Sequence, residues 1–183
     1  MTPKVLTAAL GVVAVLLVTA CTPEAAPSPS APPSTEPSAS DEDGVVPDGG
    51  VSVLAADHVA IHRLNLNLLT ALRHADVDAR RDGVELKVTS GWRSHKYQER
   101  LLDEAVVTYG SLAEARKHVN SVDRSTHVSG DAVDIGPTAS DDWLIQHGAA
   151  YGLCQAYANE MWHFELLTSP GGQCPAPLTD ASG

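Results

Sequence analysis

The apolar residues between positions 56 and 82 recur at steps of three and four along the chain. A helix that turns such positions toward one buried face accounts for this spacing. Gly83 follows the last of them and is a natural helix stop. We therefore predict a long amphipathic helix over this stretch, with an apolar face formed by Ile61, Leu64, Leu68, Leu72, Ala75 and Ala79.

The period then changes from that of a helix to that of a strand. Apolar residues at positions 84, 86 and 88 alternate with polar residues at 85, 87 and 89, which predicts a half-buried strand. Ser94 is a suitable N-cap for a helix through about Thr108, with Gly110 at its end. A shorter helix is predicted from Ser111, because Glu114 completes a capping box.

The last third of the folded region contains several short elements. Residues 131–135 predict a short strand, and Ser140-Asp141-Asp142 are expected to cap a helix that ends near Gly152. Residues 153–157 and 161–167 predict two strands joined by a tight turn, which makes them antiparallel neighbours. Helices come first and strands cluster late, so we predict an α+β domain with helices packed on a small antiparallel sheet.

Residues 1–20 have the composition of a signal peptide. Lys4 precedes an uncharged apolar run over residues 5–18, which is short for a membrane span. The sequence Val18-Thr19-Ala20-Cys21 resembles the lipobox of bacterial lipoproteins, which implies that Cys21 becomes the lipidated first residue. The alternatives are a plain signal peptide cut nearby and an uncleaved N-terminal anchor.

Residues 21–50 consist mainly of Pro, Ser, Ala and acidic residues. Such a segment buries too little apolar surface to offset the entropy lost on ordering. We expect it to be a disordered, lipidated tether that holds the folded domain, residues 51–183, away from the membrane. The protein is therefore expected to be extracytoplasmic, anchored to the outer face of the cell membrane, and monomeric.

The net charge of −11 argues against a nucleic-acid partner. Binding to phosphates requires clustered Lys and Arg, whereas acidic residues predominate in this chain. Part of the charge belongs to the predicted tether, in the form of Glu24, Glu36, Asp41, Glu42, Asp43 and Asp48. The charge therefore says little about the chemistry of the folded domain.

Three cysteines are present, and Cys21 is assigned to lipid. Cys154 and Cys174 remain as an even pair in an oxidising location, which predicts a disulfide. The alternative is that both thiols ligate metal. Their spacing, without any CxxC pair, favours the disulfide.

The most informative stretch is Ser125-Thr126-His127-Val128-Ser129-Gly130-Asp131-Ala132-Val133-Asp134. It places an imidazole and a carboxylate on either side of a turn centred on Gly130, so both side chains are able to face one point. Zinc accepts both ligand types at roughly 2.0–2.2 Å. His127 and Asp134 therefore supply two candidate zinc ligands.

The sequence Glu160-Met161-Trp162-His163 supplies a third candidate ligand, His163. Three protein ligands leave a fourth position for water, as in catalytic rather than structural zinc sites. Residues three apart in a regular strand point to opposite faces. For Glu160 to act as the catalytic base, we therefore expect it to lie in an irregular turn before the strand.

At these residues the chain resembles the zinc D-alanyl-D-alanine peptidases, a group that includes carboxypeptidases and dipeptidases linked to vancomycin resistance. The family pattern SxHxxGxAxD corresponds to residues 125–134, and ExWH corresponds to residues 160–163. A third element, an arginine in a strand-to-helix turn, corresponds to Arg93 within Ser90-Gly91-Trp92-Arg93-Ser94, with Gln98 one turn later. The resemblance covers about residues 56–175.

The resemblance implies a hedgehog/D-Ala-D-Ala peptidase-like fold and a site that binds Zn²⁺ through His127, Asp134 and His163. Glu160 is implied to activate water and to pass its proton to the leaving amine. Arg93 is implied to stabilise the oxyanion or the substrate carboxylate, a role suited to a permanently charged guanidinium. The implied activity is hydrolysis of the terminal D-Ala-D-Ala bond of peptidoglycan stem peptides.

Several roles stay open at this point. Gln98, Ser125 and Trp162 are candidates for substrate contact, although a loop serine such as Ser125 more often caps a turn, and Trp162 is equally typical of packing beside the site. Glu165 is either a partner that orients a ligand histidine or a solvated strand residue. Endopeptidase, D-Ala-D-Ala dipeptidase and non-catalytic binding of zinc or cell-wall peptide remain alternatives to the carboxypeptidase. The other histidines are interpreted as structural or surface residues: His58, His62, His74, His95, His118 and His147.

Overall fold

The structure is a computed structural model that describes residues 40–183. The predicted signal peptide, Cys21 and the tether up to residue 39 lie outside the described residues. Among residues 40–183, no helix combines the length and apolar character needed to cross a membrane.

One antiparallel sheet of five strands forms the centre of the domain, in the order β1-β2-β3-β5-β4. Each pair of neighbouring strands is antiparallel. The predicted α+β class is therefore confirmed, as is the antiparallel pairing of the last two strands. The strands are β1 (Val51–Ser52), β2 (Lys87–Ser90), β3 (Ala132–Gly136), β4 (Leu153–Tyr157) and β5 (Glu160–Leu166).

Six α-helices and two short 3-10 helices accompany the sheet in the described residues. They are α1 (Val59–His62), α2 (Leu66–Arg81), α3 (His95–Tyr109), α4 (Leu112–Ala115), α5 (Thr126–Ser129) and α6 (Thr138–His147), with 3-10 helices at Asp41–Asp43 and Gly148–Tyr151. Ser94 and Ser111 cap α3 and α4 as predicted. The core contains the buried face of α2 and the buried strand residues, among them Leu68, Leu72, Val88, Ile135 and Phe164.

The predicted long helix is instead two helices, because the helical conformation is interrupted between His62 and Leu66. Asn65 lies in this interruption. Its side chain caps α2 by accepting from the backbone N–H of Asn67 at 2.9 Å. Its own N–H donates to the Gly130 carbonyl at 2.8 Å, and its amide donates to Asp131 at 3.0 Å. This tertiary contact fixes the start of α2 against the turn that separates two candidate zinc ligands.

Two other predicted boundaries are wrong for similar reasons. The second strand begins at Lys87 rather than Val84, because the N–H of Leu86 donates to the Asp76 carboxylate at 3.3 Å instead of to a strand. Helix α6 begins at Thr138, so Ser140 lies within its first turn. The Ser140 hydroxyl donates to the Glu85 carbonyl at 2.9 Å, and it does not cap the helix.

The expected end of the tether also requires correction. Residues 40–50 contain a 3-10 helix and pack against the domain, where Asp43 accepts hydrogen bonds from both the N–H and the hydroxyl of Ser94. Gly44 is buried at a φ of 92°. Ordered structure thus begins no later than residue 40, because backbone and side-chain hydrogen bonds replace the missing apolar contacts.

The predicted disulfide joins Cys154 to Cys174, with the two Cα atoms 5.7 Å apart. The thiols are therefore not metal ligands. Beyond the disulfide, Leu178 pairs with the end of β4 through backbone bonds of 2.9 Å to Ala156 and 2.7 Å from Ala158. This C-terminal segment reaches Ala181, which is buried against Ala156 and Tyr157.

Candidate metal centre and substrate pocket

Three separate elements bring His127, Asp134 and His163 together. His127 lies in α5, whose end at Gly130 has a φ of 80° and leads into β3. Asp134 lies in β3 directly opposite His163 in β5, since the two residues are paired in the strand register. All three side chains are buried, so the sheet places two of the candidate ligands and one helical turn places the third.

The distances between the potential ligand atoms fit one zinc ion. His127 Nε2 lies 3.2 Å from His163 Nδ1 and 3.3 Å from Asp134 Oδ1, and His163 Nδ1 lies 3.1 Å from the same oxygen. Tetrahedral bonds of roughly 2.0–2.2 Å place ligand atoms about 3.3–3.6 Å apart. The triad therefore closes around zinc with shifts of a few tenths of an ångström at most.

The outer nitrogen of each histidine has a fixed hydrogen-bond acceptor. His127 Nδ1 donates to the Gly91 carbonyl at 2.8 Å, which leaves Nε2 for the metal. His163 Nε2 donates to Glu165 Oε1 at 3.0 Å, which leaves Nδ1 for the metal. Such outer partners set the tautomer and the ring orientation of metal-binding histidines.

Glu165 is thus an orienting partner of His163, which resolves the alternative that the sequence left open. The same Oε1 also accepts from the Thr126 hydroxyl at 3.0 Å.

We expect Glu165→Gln to weaken zinc affinity about 10-fold to 100-fold, because the amide is a poorer acceptor for the imidazole N–H. Competition with a chromogenic chelator measures this change. Thr126→Val is the matched control, since it leaves the His163 contact intact, and equal affinity of Glu165→Gln and wild type would contradict the assignment.

The charge states of the triad are strongly coupled. Burial lowers the pKa of His127, assisted by the nearby charge of Arg93. Burial also disfavours charge on His163, but hydrogen bonds to Asp134 and Glu165 outweigh it and raise the pKa of His163 to about 9. Burial raises the pKa of Asp134, but the two histidines and Arg93 hold that pKa well below its usual range. In the metal-free protein at neutral pH, His163 is therefore the cationic histidine of the triad, with a proton on both ring nitrogens, whereas His127 is neutral.

Zinc binding is therefore expected to release a proton. Because zinc needs the lone pair of His163 Nδ1, the apparent affinity should rise about tenfold per pH unit below the His163 pKa and level off above it. Chelator competition at pH 6.5, 7.5 and 8.5 measures the slope. Calorimetry in buffers of different ionisation enthalpy counts the protons, and a pH-independent affinity would contradict the expected release.

Glu160 reaches the triad from within β5, so the expectation that it lies in a turn before the strand is wrong. The irregularity lies inside the strand: Gln155 pairs with Phe164 and Tyr157 pairs with Glu160, so one residue of β4 faces three residues of β5. This bulge turns Glu160 and His163 to the same side, with Glu160 Oε2 3.8 Å from His163 Nδ1.

The environment of Glu160 suits a proton acceptor. The side chain is buried, and its Oε1 atom has no hydrogen-bond partner among the described residues. Burial raises the pKa of Glu160 to about 7, against the opposing influence of His163. A carboxylate whose pKa lies near the working pH is able both to take a proton and to return it.

Arg93 lies beside the metal triad, and both line one pocket in the protein surface. Its guanidinium donates to Ser90 Oγ at 2.7 Å, to Gln98 Oε1 at 3.2 Å and to Asp134 Oδ2 at 2.9 Å. Asp134 therefore offers one oxygen to the metal and the other to Arg93. A guanidinium has five N–H donors, so two remain after these contacts for a carboxylate or an oxyanion of a substrate.

The other predicted site residues line the same pocket of about 290 Å³. Gln98 is buried, and its amide donates to the Asn120 carbonyl at 2.7 Å, so it positions Arg93 through its oxygen. Ser125 is buried at the start of α5 and makes no capping hydrogen bond. Trp162 is 43% exposed at the pocket. Trp92 does not line the pocket, and it packs beneath the guanidinium of Arg63 at 4.3 Å.

Several pocket residues were not predicted from the sequence. Tyr157 packs against the His163 ring at 4.9 Å, and Asn120 donates to the Tyr157 hydroxyl at 3.5 Å. The lining of the pocket also includes the apolar side chains of Leu101, Tyr109, Val119 and Ala181. The pattern of apolar positions marks such residues only as core or surface, because their contribution depends on contacts distant in sequence.

Comparison with known proteins places this site in a family. The family model for VanY, D-alanyl-D-alanine carboxypeptidase, matches residues 61–169, which include Arg93, the three candidate ligands and Glu160. No curated protein sequence matches the chain.

Three solved structures are similar to the chain. A mutant of the vancomycin-resistance D,D-pentapeptidase VanY from the VanB-type cassette, in complex with Zn(II), is 26% identical with a TM-score of 0.53, over 56% of this chain and 71% of that chain. VanYB in complex with D-alanine-D-alanine is 26% identical with a TM-score of 0.52, over 56% and 70%. The LdcB LD-carboxypeptidase is 25% identical with a TM-score of 0.53, over 73% and 70%.

The family match spans more than half of the chain. The similar VanY structure contains Zn(II). The distances between the ligand atoms of His127, Asp134 and His163 accommodate the same ion. The chain therefore belongs to the VanY family of D-alanyl-D-alanine carboxypeptidases, which are zinc metallopeptidases.

Proposed function

We propose that the protein is a zinc-dependent carboxypeptidase that removes the terminal D-alanine from peptidoglycan stem peptides ending in D-Ala-D-Ala. The observation that carries this proposal is the arrangement of three groups around one pocket. The first is a His-Asp-His triad whose ligand atoms have the spacing that zinc requires. The second is a buried carboxylate oxygen of Glu160 that has no hydrogen-bond partner within residues 40–183. The third is the Arg93 guanidinium, which has two N–H donors left after its three contacts. Similarity to VanYB bound to D-alanine-D-alanine supports the choice of substrate.

Each group has a defined part in the hydrolysis. His127, Asp134 and His163 would hold the zinc, which would supply Lewis acidity and lower the pKa of a water at the open position. Glu160 takes a proton from the water as the water oxygen bonds to the carbonyl carbon of the scissile peptide. It then delivers that proton to the nitrogen of the leaving D-alanine as the C–N bond breaks. Arg93 uses its spare N–H donors to hold the negative charge of the substrate carboxylate or of the developing oxyanion.

The direct test uses the purified, zinc-loaded protein and a pentapeptide stem that ends in D-Ala-D-Ala. We expect release of free D-alanine, detected with D-amino-acid oxidase, and a tetrapeptide product in the mass spectrum. Removal of zinc with a chelator should stop the reaction, and added zinc should restore it. No D-alanine release by fully zinc-loaded protein would refute the proposal.

A second candidate is L,D-carboxypeptidase activity on tetrapeptide stems. It is favoured by the similarity to the LdcB LD-carboxypeptidase, which extends over 73% of this chain. Parallel assays with pentapeptide and tetrapeptide stems distinguish the two, because each activity releases D-alanine from only one of them. Release of the intact dipeptide or of cross-bridge fragments would instead indicate an endopeptidase, and hydrolysis of free D-Ala-D-Ala would indicate a dipeptidase.

A non-catalytic binding protein is the alternative from another class. A binding site has no need for a buried carboxylate beside an open metal position, and Glu160 occupies that place. Equal and negligible turnover by wild type and Glu160→Ala, at equal zinc content, would favour the binding protein.

We also propose that Cys21 carries lipid and holds a monomeric enzyme on the outer face of the cell membrane. The support is the apolar run ending in Val18-Thr19-Ala20-Cys21 and the Pro- and Ser-rich segment that follows it. Cys21→Ser should move the protein from the membrane fraction to the soluble fraction of cells. An unchanged distribution would refute the lipid anchor.

A further inference from the structure

The turn that carries Arg93 is held in place by three backbone hydrogen bonds from distant segments. The N–H of Trp92 donates to the Ala60 carbonyl at 2.9 Å, and the N–H of Arg93 donates to the His127 carbonyl at 3.2 Å. The third bond, from the N–H of Ser94 to the Asp43 carbonyl, measures 2.9 Å. Two of these acceptors belong to the region matched by the family model or border it, whereas Asp43 lies well before residue 61.

Asp43 makes a second contact with the same residue through its side chain. The Ser94 hydroxyl donates to Asp43 Oδ1 at 2.7 Å and accepts from the N–H of Tyr97 at 3.0 Å. Asp43 therefore orients the hydroxyl that caps α3. The first residue of that helix follows Arg93 by only two positions, so the cap and the arginine move together.

Gly44 brings this segment unusually close to the turn. A Cβ atom at Gly44 would lie 2.1 Å from the Trp92 carbonyl oxygen, so no larger residue fits there. The backbone of Gly44 also has a φ of 92°, which glycine adopts without strain. The segment 43–44 thus touches the residues on both sides of Arg93: Gly44 abuts Trp92, and Asp43 binds Ser94.

The guanidinium of Arg93 needs such support, because it has three simultaneous partners in Ser90, Gln98 and Asp134. A shift of the backbone turn would misalign all three contacts and the two spare donors. Displacements of about 1 Å in a catalytic group cost rates on the order of 100-fold.

We propose that Asp43 is a positioning residue for Arg93, acting through the backbone and hydroxyl of Ser94. This inference rests on the proposed function, because it assigns Arg93 a part in catalysis. Asp43 lies in a segment whose composition is typical of a tether, and in this role it helps to build the active site.

The experiment compares full-chain, zinc-loaded Asp43→Ala, Asp43→Asn and Asp41→Ala. Asp43→Ala removes the acceptor of the Ser94 hydroxyl and should lower kcat/KM for D-alanine release about 10-fold to 100-fold, with zinc content unchanged. Asp43→Asn keeps an acceptor oxygen and should restore most of the activity. Asp41 is exposed in the same 3-10 helix, so Asp41→Ala is the matched control and should behave as wild type.

A double-mutant cycle separates positioning from general stabilisation. If Asp43 acts through Arg93, Asp43→Ala should lower kcat/KM less than about twofold in an Arg93→Lys background, since the group that it positions is already gone. An equal loss in both backgrounds, or no loss in the wild-type background, would overturn the proposal.

A readout that does not need catalysis keeps this test separate from the proposed function. The Nε–H of Arg93 donates to Ser90, so its exchange with solvent, followed by ¹⁵N NMR, reports the position of the guanidinium. Exchange should be faster in Asp43→Ala than in wild type and unchanged in Asp41→Ala. Absence of turnover in wild type would refute the proposed function, whereas equal exchange rates in all variants would refute the positioning role.

Discussion

Replacing Glu160 by glutamine is expected to lower kcat/KM for D-alanine release by about 10²–10⁴-fold while leaving the zinc content unchanged. The amide keeps the size of the side chain but accepts no proton at neutral pH. Glu160 Oε2 lies 3.8 Å from His163 Nδ1, which is close enough to reach a water molecule at the metal position. Glu160 is not one of the three residues whose ligand atoms have the spacing that fits zinc. Loss of Glu160 should therefore remove proton transfer without removing the metal.

The control for this prediction is Glu99→Gln, the same chemical change at an exposed position of α3. Kinetics on the pentapeptide and metal analysis of each variant are the required measurements. In wild type, kcat/KM should fall as the pH drops through the pKa of Glu160, because only the ionised carboxylate accepts a proton. That pKa is about 7 in the metal-free protein, and the positive charge of bound zinc lowers it. Full activity of Glu160→Gln would exclude Glu160 as the base.

Replacing Arg93 by lysine is expected to lower kcat/KM by about 10²–10³-fold, which corresponds to about 2.7–4 kcal/mol of lost transition-state stabilisation. Lysine keeps the positive charge but has a single nitrogen, which is unable to span Ser90, Gln98 and Asp134 and still face a substrate. The loss should therefore reflect geometry rather than charge.

Kinetics of Arg93→Lys, together with its zinc affinity, test this explanation. Zinc affinity should fall only slightly, because Asp134 loses an outer partner but keeps its Oδ1 for the metal. Arg116→Lys, at an exposed position, is the matched control. Wild-type kinetics for Arg93→Lys would mean that a point charge suffices and that the three fixed contacts have no part in catalysis.

The residues of the metal triad were predictable because their signals are local. His127 and Asp134 are separated by one glycine turn, and His163 follows Glu160 and Trp162 in a short motif. Strand pairing then places Asp134 opposite His163. A site that depends on ligand type and short spacing can be predicted from a single sequence.

The supporting contacts were not predictable, because they join segments distant along the chain. The role of Asp43 depends on Ser94, 51 positions away, and its neighbours have the composition of a linker. The break at Asn65 depends on Gly130 and Asp131. Glu160 was predicted as the base, but the bulge that turns it toward His163 is a property of strand pairing between β4 and β5. Local propensity does not contain these pairings.

The two outer strands of the sheet have a further consequence for how the protein behaves when copies are crowded together. An open strand edge presents unpaired N–H and C=O groups to which another chain is able to add by backbone pairing. Here one edge strand, β1, has only two residues. The other, β4, is covered at its end by Leu178, which takes up hydrogen-bonding groups of Ala156 and Ala158. The segment that follows the disulfide thus also protects the sheet against edge-to-edge aggregation.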